Sequence, residues 1–257
     1  MKALILAAGY ATRLYPLTKK FPKPLLEVNK KPIIDYIIDK LNGLTQVNEI
    51  IVVTNDRFFS KFGKWAKTVK TDKKITLVND LTKDNQSRLG AIGDIDFAVS
   101  RRHISDDLLV IGGDNLFSQK MDGFLKFSLE NYPAPTVGLY RLKNKSDACR
   151  YGVVKIGRKG LISEFAEKPK KPASNLVAMC LYFIPRDFLG LVKQYMRDEH
   201  KQIDATGGFI SWLKDEIKVY GFVFGGKWFD IGDHKYLNAA NKSLAVKAKE
   251  RKKDVGA

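Results

Sequence analysis

Lys2-Ala3-Leu4-Ile5-Leu6-Ala7-Ala8-Gly9-Tyr10-Ala11-Thr12-Arg13 is the stretch on which the fold is decided. From Lys2 to Ala7 the run is almost continuously apolar, as a strand covered on both faces reads; a strand with one wet face would alternate. It then passes into the small residues Ala7, Ala8 and Gly9. A loop of this kind can turn its backbone N–H groups toward a phosphate, and Gly9 permits close approach of a ligand to the main chain.

The pattern around this run supports an open α/β sheet. Pro32 precedes Ile33, Ile34, Ile37, Ile38 and Leu41, whose three-to-four spacing predicts a helix. Glu49–Asn55 reads as a second buried strand, Phe58–Val69 as a helix and Ile75–Asn79 as a third strand. Gly90–Arg102 has helical spacing, and Asp106–Asp114 contains another buried strand. Such alternation predicts a mostly parallel sheet with helices on both faces.

After Pro135 short strands dominate: Thr136–Leu142, Tyr151–Ile156, Leu161–Phe165 and Val177–Ile184. A helix from about Arg186 to Arg197, strands at Val219–Phe224 and Lys227–Ile231, and a last helix from about Asp233 complete the chain. No repeat or Pro/Gly/Ser-rich linker divides it, so one domain over residues 1–257 is expected, with β-rich additions within about 136–184.

Composition narrows the function classes. The chain has 257 residues, 44% hydrophobic and 28% charged, which excludes a disordered or fibrous protein. No stretch approaches the ~20 apolar residues of a membrane span, and the first strand is too short for a secretory signal. Two cysteines, Cys149 and Cys180, cannot build a disulfide framework, which fits the cytoplasm. The excess of 45 Lys+Arg over 28 Asp+Glu, a net +17, suits nucleic acid, an anionic surface or a polyphosphate ligand. No zinc-finger spacing, basic-region heptad or aromatic RNA-binding signature accompanies it. His103, His200 and His234 share no metal-ligand spacing, and no nucleophile elbow is present.

The chemistry-bearing candidates lie at strand ends. Arg13, in the first loop, and Lys23, in Phe21-Pro22-Lys23-Pro24, can supply two fixed positive charges. Phosphoryl transfer asks mainly for positioning and charge stabilisation. Neither the Walker A spacing nor GxGxxG is matched. Asp114 ends Leu109-Val110-Ile111-Gly112-Gly113-Asp114, and Asp230 ends Lys227-Trp228-Phe229-Asp230, with Asp233 suited to cap the final helix. Ligands of open α/β sheets bind at such ends, and Mg²⁺ is commonly held by one or two carboxylates plus substrate phosphates. Gln86 can hydrogen-bond a base edge, and Gly90, opening a helix, lets backbone face a flat ring.

Together these motifs resemble the sugar-1-phosphate nucleotidylyltransferases, closest to the glucose-1-phosphate thymidylyltransferase-like branch. The family pattern Leu-Ala-Ala/Gly-Gly-x-Gly-Thr-Arg-Leu-x-Pro-Leu-Thr, then Pro-Lys-Pro, falls on Leu6–Thr18 and Pro22–Pro24. Its Gly-Asp-Asn and Trp-x-Asp-x-Gly fall on Gly113–Asn115 and Trp228–Gly232. The resemblance implies a Rossmann-like fold with a small β-rich sugar lid, and Mg²⁺-dependent transfer from an NTP, dTTP or UTP favoured, to a sugar 1-phosphate. It implies Arg13 and Lys23 as catalytic, Ala7, Ala8, Gly9, Gln86 and Gly90 as nucleotide-binding, and Asp114 and Asp230 as metal ligands. Gly113, Tyr151, Gly152, Glu167 and Lys168 are implied on the acceptor side, the last four through Tyr-Gly-Val-Val and Glu-Lys-Pro.

Three departures stand out. The second loop glycine is Ala11; if that position is left-handed, alanine costs about 1 kcal/mol. The base segment reads Gly90-Ala91-Ile92 in place of Gly-Thr-Ala, and a glycine of the sugar-side strand is Cys180. A catalytically silent sugar-nucleotide-binding regulatory subunit and a cytidylyltransferase acting on a non-sugar alcohol phosphate are the alternatives. No nucleic-acid or membrane partner is expected, and a homo-oligomer is left open.

Overall fold

The computed structural model describes residues 1–197 and 206–254. The opening run forms β1 (Lys2–Leu6), followed by the short strands β2 (Glu27–Val28) and β3 (Lys31–Pro32), then α1 (Ile33–Asn42), β4 (Glu49–Thr54), α2 (Asp56–Ala66) and β5 (Lys74–Asn79). Next come α3 (Gly90–Arg101), β6 (Leu108–Gly112), β7 (Asn115–Phe117), α4 (Asp122–Glu130) and β8 (Thr136–Arg141). The outer hairpin is β9 (Gly152–Ile156) and β10 (Ile162–Glu167), and β11 (Leu176–Ile184) returns to the centre. Then follow α5 (Leu189–Met196), α6 (Thr206–Glu216), β12 (Tyr220–Phe224), β13 (Trp228–Asp230) and α7 (His234–Asp254).

The main sheet is ordered β10-β9-β11-β6-β1-β4-β5, with β8 on β11 and β12 on β8. β6, β1, β4 and β5 are parallel, so Ala3 lies between Ile50 and Leu109. β11 enters antiparallel to β6, and its pairing with β8 is interrupted between Ala178 and Tyr182. A separate ribbon joins β7 to β13, setting Asp230 opposite Asn115.

Strand alternation puts Ala3 and Ile5 on one face of β1 and Leu4 on the other. The first face packs on α1, α2 and α4 through Ile37, Phe62 and Phe124; the second packs on α3, α5 and α6 through Ile95, Val192 and Phe209. Each such side chain contributes about 1.5–3 kcal/mol by leaving water. All five apolar residues of the α1 stripe are fully buried. The helices thus cover both faces and leave the carboxyl ends of the parallel strands open.

Element ends differ from the sequence expectations for local reasons. α2 begins at Asp56 because the Asn55 side chain accepts from the Phe58 N–H at 3.0 Å and caps it. Arg186–Phe188 forms a 3-10 turn before α5 begins. The basic tail continues α7 to Asp254. His200 lies outside the described residues. Among those described, no helix is long and apolar enough to cross a membrane.

Candidate active site

The loop after β1 is held from three sides. The Ala7 N–H continues the ladder to the Val53 carbonyl at 2.9 Å. Asn55, fully buried, donates to the Ala8 carbonyl at 2.7 Å while capping α2. Tyr10 is buried, with its hydroxyl 3.0 Å from Thr82 Oγ1. Sequence reasoning assigned neither Asn55 nor Tyr10 a part, because each acts through a residue on another strand end.

The left-handed residue of this loop is Ala11, at φ 48°, ψ 46°, where the family pattern has glycine. The Thr18 hydroxyl donates to its carbonyl at 2.7 Å, and the Leu14 N–H does so at 3.0 Å. These bonds hold an alanine in a region that costs L-residues about 1–2 kcal/mol. Ala11→Gly should therefore raise unfolding stability by about 1 kcal/mol, seen as a Tm increase of about 2–4 °C in a thermal melt. An unchanged or lower Tm would show that the loop relaxes without cost.

A 3-10 turn at Thr12–Leu14 buries Leu14 against Ile231 and Leu237 and turns Arg13 toward Gly232 and Asp230. A second turn, Lys23–Leu25, aims Lys23 at Asp114, and the two form a close ion pair. Asp114 follows β6, whose end is drawn against β1: the Gly113 N–H donates to the Leu6 carbonyl at 2.8 Å. A Cβ on Gly113 would lie 2.7 Å from that oxygen. Gly113 packs tightly against β1, and the glycine that lines the first cavity is its neighbour Gly112.

Asn115 is buried and connects three strands. Its amide donates to the carbonyls of Met179 and Cys180, and its oxygen accepts from the Trp228 indole at 2.7 Å. Through the β7–β13 ribbon Asp230 is brought beside Asp114, close enough for each carboxyl to feel the other's charge. Burial would raise the Asp114 carboxyl, but the Lys23 ammonium outweighs it and holds Asp114 below its ordinary value. Burial and the charge of Asp114 push Asp230 up to about 7. Two hard oxygen donors that repel one another at a strand end suit a Mg²⁺-type cation, with substrate oxygens completing its shell. Among the described residues no cluster of three or more acidic, His or Cys side chains offers a closed metal cage.

Two cavities of about 380 Å³ meet at Asp114, Ala91 and Cys180. The first is lined by Ala7, Ala8, Gly9, Lys23 and Gly90, with Asp80 and Asp94. The expected base reader Gln86 does not line it. Its N–H is taken by Asp84 Oδ1 at 3.0 Å in a tight turn and its side chain is exposed, while Asn85 and Arg88 line the wall. Gly90, at φ 77°, opens α3 in a conformation suited to glycine.

The second cavity is lined by Arg13, Arg150, Tyr151, Gly152, Glu167, Lys168 and Asp230. Glu167 lies against two helix and strand backbones that have no side chain: a Cβ on Gly207 would come within 1.7 Å of its Oε2, and one on Gly152 within 3.1 Å. Lys168 pairs with Glu167 at 3.3 Å, and its N–H donates to the Tyr151 carbonyl at 3.0 Å. Cys180, at φ 52°, carries the β11 bulge between the cavities, and burial pushes its thiol up to about 12. Asp233 caps α7, accepting from the Tyr236 N–H at 3.0 Å.

Known proteins similar to this chain identify its family and its fold. The chain is 30% identical over 249 residues to the bifunctional protein GlmU of Methanococcus aeolicus, covering 95% of this chain and 54% of that protein. It is 29% identical over 234 residues to the bifunctional sugar-1-phosphate nucleotidylyltransferase/acetyltransferase of Sulfurisphaera tokodaii, covering 90% of this chain and 52% of that one. It thus spans about half the length of these relatives. The structure of UDP-glucose pyrophosphorylase complexed with UDP-glucose superposes with a TM-score of 0.81 at 19% identity, over 96% of this chain and 98% of the other, which shows the shared fold. The profile of the nucleotidyl transferase family matches residues 2–247, and with the parallel sheet and the charged cleft at its strand ends it places the chain in that family.

Proposed function

We propose that the protein transfers a nucleotidyl group from a nucleoside triphosphate to a sugar 1-phosphate, giving an NDP-sugar and pyrophosphate. The observation that carries this reading is the meeting of Arg13, Lys23, Asp114 and Asp230, from four separate segments, where the two cavities join. The names of the relatives above support a sugar 1-phosphate as acceptor.

In this reading the triphosphate occupies the first cavity, with its α-phosphate by Lys23 and its β- and γ-phosphates toward Arg13. A phosphate oxygen of the acceptor attacks the α-phosphorus in line. The new P–O bond forms as the bond to the β-phosphate breaks, and its electron pair leaves on pyrophosphate. The attacking oxygen is already ionised at neutral pH, so no general base is required. Lys23 neutralises charge at the α-phosphate and Arg13 charge building on the departing group. Lys168 holds the acceptor phosphate, and Glu167, fixed between Gly152 and Gly207, accepts from sugar hydroxyls. Asp114 and Asp230 would hold Mg²⁺, which when bound supplies further charge neutralisation.

The resemblance favours dTTP or UTP, and the choice of base rests on the side chains of the first cavity. The test is a product screen by mass spectrometry over all nucleoside triphosphate and sugar-phosphate pairs with Mg²⁺. An NDP-sugar and stoichiometric pyrophosphate are expected from at least one pair. Product from an alcohol phosphate alone would move the assignment to that acceptor class, and binding without product would make the protein a sugar-nucleotide sensor.

A further inference from the structure

The second cavity holds a cation that the transfer chemistry has not used. Arg150 ends the 3-10 turn that precedes β9 and lines this cavity together with Arg13 and Lys168. Its guanidinium lies 4.8 Å from the centre of the Tyr236 ring and 5.5 Å from that of Tyr151, and it donates to the Tyr236 hydroxyl. Tyr236 stands in the first turn of α7, so two elements far apart in sequence hold the one guanidinium. Neither ring neutralises it. Lys23 is paired with Asp114 and Lys168 with Glu167, whereas among the described residues no carboxylate stands at ion-pair distance from Arg150. The Tyr236 hydroxyl takes one N–H and leaves the rest of the fork without a protein acceptor.

The β9–β10 hairpin sets this cation on the acceptor side. Gly152 pairs with Glu167, and the Lys168 N–H donates to the Tyr151 carbonyl at 3.0 Å. The backbones carrying Arg150 and Lys168 therefore run side by side at one end of the hairpin, and both side chains line the same cavity. Arg13 approaches from the opposite side, against Gly232. The first cavity is lined by Lys23 and the Ala7–Gly9 loop and not by Arg150. An anion held by Arg150 thus stands beyond the junction from the nucleoside.

The two cations differ in what they can fix. Lys168 is a point charge, 58% exposed and shared with Glu167, which locates a phosphate without orienting it. A guanidinium grips two phosphate oxygens by parallel N–H···O bonds, and one already held against aromatic rings loses little freedom in doing so. We propose that Arg150 grips the phosphate of the acceptor and orients its attacking oxygen toward the α-phosphorus, with Tyr236 positioning the guanidinium. Bond making and breaking are as described above; Arg150 stays protonated throughout and transfers no proton. This deepens the nucleotidyl-transfer reading and rests on it for the acceptor being a phosphate ester.

The test separates the two substrates and separates binding from turnover. Arg150→Ala, Arg150→Lys and Tyr236→Leu are compared with the wild type by steady-state pyrophosphate release, each substrate varied in turn, with melts to confirm folding. The sugar 1-phosphates of the product screen are also titrated calorimetrically into the whole chain, alone and with an α,β-methylene triphosphate that cannot react. Arg150→Ala should raise the KM for sugar phosphate about 10–100-fold, weaken sugar-phosphate binding to match, and leave the KM for nucleotide unchanged. Arg150→Lys should restore binding more fully than kcat, because it returns the charge without the fork. Tyr236→Leu should raise the same KM by less than Arg150→Ala. Should Arg150→Ala fail to fold, the split between binding and kcat in Arg150→Lys decides the matter. A rise in the KM for nucleotide with sugar-phosphate binding intact would put Arg150 on the triphosphate, overturning the inference and leaving nucleotidyl transfer standing. Unchanged constants, or equal losses for both substrates, overturn it too. Sugar-phosphate binding that Arg150→Ala abolishes, without product from any pair, supports the inference and defeats the transfer reading; no binding of any sugar phosphate by the wild type defeats both.

Discussion

Lys23→Ala lowers kcat by about 10²–10³, with a smaller rise in the KM for nucleotide. The size follows from what is lost when one preorganised charge is removed from a site that stabilises developing negative charge, about 3–4 kcal/mol of transition-state stabilisation. The pairing of Lys23 with Asp114 adds to this. Without the ammonium, nothing offsets the repulsion between Asp114 and Asp230 at that point, and the proton on the pair becomes harder for a metal to displace. Steady-state pyrophosphate release at saturating substrates measures the effect, with a melt to confirm folding. Turnover within threefold of the wild type would remove Lys23 from the chemistry.

Asp230→Asn produces the second large effect, a loss on the order of 10²-fold in Mg²⁺-supported activity, together with a change in pH behaviour. In the metal-free protein Asp230 keeps its proton up to about pH 7, whereas the unfolded chain releases it near the ordinary value of 3.8. Between those values the native state binds more protons than the unfolded state, so stability falls as pH rises. The asparagine removes this contribution, and metal-free melts of the variant should decline less between pH 4 and pH 7 than those of the wild type. Mg²⁺ must displace the same proton. Apparent metal affinity of the wild type should therefore climb as pH approaches 7 and level off above it. A pH-independent affinity, or wild-type and variant melts of equal slope, would show that Asp230 is ionised throughout.

Much of the fold was legible because its signals are local. The apolar run of β1 and the Ile33-to-Leu41 stripe of α1 identify buried elements by period alone, and strand–helix alternation gives the parallel core. The motifs carrying Lys23, Asp114 and Asp230 were visible as strand-end chemistry, and the structure brings them together. What escaped depends on contacts between distant segments. Gln86 was assigned to the base, but the Asp84–Ser87 turn exposes it. Gly113 was assigned to substrate, but the Leu6 carbonyl occupies the space beside it. Asp94 drew no assignment from the sequence, and only the structure brings it beside Asp80. Ala11 and Cys180 were recognised as replacing glycines, and the structure adds that both keep positive φ. An alanine and a cysteine therefore hold left-handed conformations in this chain, at a conformational cost.

Asn115 has a wider consequence. By gripping the β11 bulge and the Trp228 indole at once, it rivets the floor of the second cavity to the ribbon that carries Asp230. The turn of the β9–β10 hairpin, residues 157–161, lies outside this rivet and lines neither cavity, so a change in its length leaves both acids in place. An insertion in β11 between Ala178 and Tyr182 has no such freedom, since it would slide one acid past the other. Diversification in this architecture is channelled to its rim.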